Sequence, residues 1–171
     1  MKLQPLLILG IASTLLSSGM ASADGGGHKE VLPDETIIGI SLLSSLITYF
    51  LIPKISKFEL SNEQRLVSSL IMFTVVVHAI LGIVDLYLLV GAAGFFAFGV
   101  AFYVLEIPIV ENNRKNLSYL FIVYTLAIVV FYVYLHPDLM KDGNYDLVGI
   151  LTKISEIGII GLTLKLSLIH I

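Results

Sequence analysis

The feature that most constrains this chain is a series of five apolar runs separated by short polar stretches. The runs cover roughly Glu35 to Pro53, "ETIIGISLLSSLITYFLIP"; a second opening after "SNEQR" and extending through about Val84; Leu88 to Val110; Leu117 to Leu135; and Leu147 to about Ile169. A helix needs roughly 20 mostly apolar residues to cross a bilayer, and lipid admits only helices or closed barrels, because each backbone polar group must be satisfied internally. Only 13% of the residues are charged and 57% are hydrophobic, with a mean hydropathy of +0.95. A soluble domain carries about 25% charged residues. The apolar surplus has to face lipid, so the sequence predicts an all-α polytopic membrane helix bundle.

Residues 66–110 are too long for one crossing and suit two, with the turn at Asp85 or at the glycines of "GAAG", 91–94. Ser61 and Gln64 have the spacing of a capping box, in which the serine oxygen takes an orphan amide and the glutamine reaches back.

The start of the chain, "MKLQPLLILGIASTLLSSGMASA", carries Lys2, an apolar stretch from Leu6 to Leu16 and the small-residue sequence Ala21-Ser22-Ala23. This is the pattern of a cleavable signal peptide over 1–23. It leaves an external segment, 24–34, and a five-helix transmembrane domain, 35–171. Loop charges agree with that orientation. Lys54, Lys57, Arg65, Arg114 and Lys115 fall on one side of a five-crossing layout, and only Lys29 and Lys141 on the other. The excess of basic residues marks the cytoplasmic side. The expected location is therefore the cell membrane, with the N-terminus outside and the C-terminus cytoplasmic.

Net charge is −3 and no basic run occurs, so nucleic acid is not an expected partner. The absence of cysteine excludes disulfides, thiolate metal sites and iron–sulfur clusters. No G-x-S-x-G, H-E-x-x-H or P-loop pattern is present. No catalytic or cofactor-binding residue is assigned on the sequence.

What chemistry there is lies in polar residues inside or beside the runs. His78 and Asp85 are two helical turns apart, so on one continuous helix they share a face, roughly 10 Å apart along the axis. Ionisable groups in a bilayer usually face protein or water. In this topology His78, Asp85, His136 and Glu156, with His28 of the external segment, all fall in the outer half. Imidazoles and carboxylates suit copper or zinc, which makes His78, Asp85, His136 and Glu156 a candidate metal set or proton site. The simpler reading is preferred, since no ligand spacing of a known metal site occurs: His78 hydrogen-bonds between helices and Asp85 lies at a wet turn. Lys153 and Glu156, at i and i+3, can pair and lock helix packing. Glu106, ahead of Pro108, is an expected interfacial partner for Arg114 or Lys115.

Small size, little extramembrane mass and missing catalytic motifs make an accessory or structural subunit of a larger membrane complex the first functional expectation. Other integral membrane subunits would be its partners. A small membrane protein handling a metal ion or protons through the outer cluster is the second, and an oligomeric transporter or channel the third. The signal-like start, the cysteine-free chain and spans joined by short loops such as "ENNRKN" resemble accessory subunits of the archaeal ammonia monooxygenase. The resemblance extends over most of the chain in overall character. It implies a role beside a copper-dependent membrane oxygenase, with the catalytic copper on other subunits.

Overall fold

In the computed structural model the described residues are 31–135, 140–141 and 144–169. The stretch 1–23 read as a signal peptide, His28 and His136 lie outside them. The described chain runs α1 (Asp34–Ile55), α2 (Asn62–Leu81), α3 (Leu86–Tyr103), the short α4 (Pro108–Asn112), α5 (Arg114–Leu135), β1 (Met140–Lys141), β2 (Asn144–Tyr145) and α6 (Leu147–Ile169). Five of these helices are long and apolar enough to cross a membrane: α1, α2, α3, α5 and α6. The fold is the all-helical bundle expected, with one two-residue antiparallel ladder pairing Met140 with Tyr145 and Lys141 with Asn144.

Each helix end has a local cause. Asp34 and Glu35 begin α1 and Lys54 ends it, complementing the helix dipole. The Ser61/Gln64 capping box forms: the Gln64 amide donates to Ser61 Oγ at 3.2 Å, and the Ser61 amide to Gln64 Oε1 at 2.8 Å. α2 stops at Leu81, earlier than the apolar run suggests, because Gly82 packs against the start of α3. A Cβ on Gly82 would come within 2.6 Å of both the His78 carbonyl oxygen and the Leu89 amide nitrogen. Asp85 then caps α3, with Oδ1 accepting from the Tyr87 amide at 2.9 Å. The turn is thus at 82–85, and the "GAAG" glycines lie within α3.

The third apolar run was expected to continue to Val110; α3 ends at Tyr103 instead. Proline disfavours helical backbone in the residue before it, and Ile107 is extended (φ −112°, ψ 110°) ahead of Pro108, which opens α4. α5 starts at Arg114, three residues before the apolar run.

α2 is the centre of the bundle, packed against α1, α3 and α6, while α5 packs on α6. Half of its apolar window is buried inside the protein, against 17% for α1 and for α5. The seam with α1 is lined by small hydroxyls: Ser69 Oγ donates to the Ser45 carbonyl at 3.0 Å, and the two serine hydroxyls meet at 2.7 Å. Such small polar residues let helix backbones approach closely. Between α3 and α5 the seam is aromatic. Phe98 stacks on Phe121 with centroids 4.7 Å apart, and Phe95 meets Tyr124 edge-on at 5.3 Å. Gly94 leaves room for the Tyr124 ring, which a Cβ would overlap. The Tyr124 hydroxyl donates to the Gly91 carbonyl at 2.9 Å.

Candidate functional site

His78 lies one turn before the end of α2, and its last-turn position makes the Thr74 carbonyl its nearest backbone acceptor. Nδ1 is 2.9 Å from that oxygen. A carbonyl only accepts, so Nδ1 carries the hydrogen and, in a neutral ring, Nε2 presents its lone pair. Nε2 faces Glu156 Oε1 of α6 at 3.7 Å. His78 is 3% exposed and Glu156 is fully buried. Phe95 of α3 closes the site, its ring centroid 5.8 Å from that of His78.

The second carboxylate oxygen of Glu156 takes a hydrogen bond from Lys153 Nζ at 2.6 Å, across the i, i+3 spacing of one helix face. Lys153 also sits over the Tyr132 ring of α5, 5.0 Å from its centroid, a cation–π contact. The Tyr132 hydroxyl donates to Asp146 Oδ2 at 2.8 Å, and Asp146 Oδ1 accepts from the Gly149 amide at 2.8 Å as the cap of α6. The result is a connected series, Asp146–Tyr132–Lys153–Glu156–His78, leading from the partly exposed start of α6 into the interior.

Glu156 Oε1 has no hydrogen-bond partner, and the same holds for the buried hydroxyls of Ser41 and Thr74. A buried polar atom without a partner costs free energy, so its retention is informative. A direct hydrogen bond from Nε2 needs about 2.7–3.2 Å, which a movement of less than about 1 Å supplies. The pair can therefore share a proton, with Lys153 holding the carboxylate in charge balance.

Two further candidates, Asp85 and Glu106, lie elsewhere. Asp85 is exposed and engaged in capping α3, so His78 and Asp85 do not share a helix face: the helix breaks between them at Gly82. Of the metal set His78, Asp85, His136 and Glu156, the structure brings His78 and Glu156 together and sets Asp85 apart, while His136 lies outside the described residues. Among the described residues no group of three or more His, Cys, Asp or Glu is placed to hold a metal ion. Glu106 is exposed in the connection before α4 and makes no ion pair among the described residues. Arg114, its expected partner, donates instead to the Phe102 carbonyl at 3.2 Å and lies over the Phe58 ring.

Sequence reasoning missed Tyr132 and Asp146 as members of the site. Asp146 was recognisable in principle, as an acidic residue immediately ahead of an apolar run, the position of a helix N-cap. Its bond to Tyr132, on another helix, has no local signature. No family model matches the chain, and no curated protein or solved structure matches it.

Proposed function

We propose that this chain is a multi-pass membrane protein that takes up and releases a proton at the buried His78–Glu156 pair. The single observation carrying this reading is the arrangement around one buried carboxylate. Lys153 holds one oxygen at 2.6 Å, and the other, unpartnered, faces an imidazole nitrogen at 3.7 Å. Ionisable groups are costly inside a membrane protein and mark proton relays when they are paired and shielded from lipid.

Infrared difference spectroscopy of the protein in lipid vesicles, stepped from alkaline to acidic buffer, tests this. A carboxyl or imidazolium band should appear, be lost in Glu156→Gln and be altered in His78→Phe. An identical spectrum in the wild type and both folded variants would reject the reading.

A second reading has its own support. Large apolar side chains stand exposed along α1 (Leu42, Leu43, Leu46, Phe50) and α5 (Val123, Val130, Phe131, Tyr134), surfaces that lipid or other integral subunits can cover. A subunit of a larger membrane complex fits these faces, and the proton site would then serve that complex. A place beside a copper-dependent ammonia monooxygenase rests on the sequence resemblance alone. Native electrophoresis of source membranes, with mass spectrometry of co-migrating proteins, would support the complex if larger membrane subunits co-migrate. Migration alone would overturn it.

A further inference from the structure

At the other end of the bundle, where Lys54, Arg114 and Lys115 lie, the helices part to leave a cleft of about 230 Å³ bounded by α2, α3, α5 and α6. This is far more than the roughly 30 Å³ that a water molecule occupies in the liquid. Its rim carries Arg114 and Lys115 from the first turn of α5 and Glu111 from α4; Ser118 and Thr163 line its wall. Thr163 is 4% exposed, and its hydroxyl has no hydrogen-bond partner. A buried donor without an acceptor, lining a cleft with a cationic rim, is suited to an anion.

From these residues we infer that the cleft binds the phosphodiester headgroup of an anionic phospholipid. The charges of Arg114, Lys115 and Glu111 sum to one positive charge, which matches the single negative charge of a phosphodiester. The guanidinium is planar and multidentate, the geometry that phosphate oxygens favour. One of its N–H groups is committed to the Phe102 carbonyl, which fixes the side chain at the cleft. Thr163 lies six residues before the end of α6, so its hydroxyl sits below the charged rim, where a headgroup oxygen would reach. Basic pockets between transmembrane helices are a recurring mode of headgroup recognition. This site is separate from the His78–Glu156 pair and does not depend on it.

The test uses the full chain purified in detergent, with native mass spectrometry at graded phosphatidylglycerol or phosphatidylcholine. Phosphatidylglycerol should be retained saturably and in preference to phosphatidylcholine. Lys115→Gln, at an exposed position, should weaken it about fivefold, the effect of one basic residue near a membrane surface. Thr163→Val should weaken it severalfold, while Lys57→Gln, exposed at the same end but outside the cleft, should not. Inorganic phosphate is the second probe. If it binds with the same dependence on Lys115 and Thr163 and displaces the lipid, the phosphate site stands and its source is soluble. Equal retention of the two lipids overturns the proposal. So does retention unchanged by Lys115→Gln and Thr163→Val, or reduced equally by Lys57→Gln.

Discussion

Among the described residues there are two lysine–glutamate pairs at similar distances, Lys153–Glu156 at 2.6 Å and Lys165–Glu63 at 2.9 Å. Their surroundings differ. The side chains of the first pair are 11% and 0% exposed, those of the second 55% and 41%. An exposed pair is solvated whether or not it forms, so its attraction is largely offset by hydration and side-chain entropy. A buried pair has no such alternative, and removing one partner strands the other charge. The pair that joins α2 to α6 at the surface is therefore dispensable, and the one within α6 is not. The buried pair has a third member: Glu156 faces His78 as well as Lys153, whereas Glu63 also accepts from the Ser61 hydroxyl next to its own helix start.

Substitutions separate the two regions, and the largest effect is expected at the buried pair. Lys153→Met leaves Glu156 without its cation and should lower unfolding stability by about 3–5 kcal/mol, measured by denaturant titration in mixed micelles. Adding Glu156→Leu should recover most of the loss; a double variant as unstable as the single one would mean that packing, not charge, sets the effect. Tyr132→Phe comes next, because it removes the hydroxyl that Asp146 accepts while keeping the ring beneath Lys153. A cost of about 1–2 kcal/mol is expected in the same assay. At the opposite end Ser61→Ala breaks the capping box and should cost about 1 kcal/mol. The smallest effect belongs to Glu63→Gln, which should leave the unfolding curve unchanged within error. A loss comparable to that of Lys153→Met would erase the distinction between the pairs.

The features legible in the sequence are those decided locally. Span count and approximate limits follow from apolar length. The Ser61/Gln64 cap and the Lys153–Glu156 contact follow from spacing along one helix. The end of α2 did not follow, since the apolar run continues past Gly82; a backbone crossing at that glycine ends the helix, and only the fold reveals it. That one break separates Asp85 from His78. In its place His78 meets Glu156 from a helix far along the chain, a pairing set by which faces of α2 and α6 turn towards each other. The phosphate cleft was illegible for a similar reason: Thr163 reads as an ordinary residue of an apolar helix until α5 brings Arg114 and Lys115 to its rim.

The most direct measurement is nitrogen NMR of the histidine side chains in lipid nanodiscs, with His78 identified by its loss in His78→Phe. A proton-exchanging pair requires the neutral ring to carry hydrogen on Nδ1, bound to the Thr74 carbonyl, and none on Nε2. On acidification the Nε2 signal should move to the protonated position, and Glu156→Gln should change the course of that movement. A ring protonated on Nε2 at alkaline pH, or one indifferent to both acid and Glu156, would contradict it.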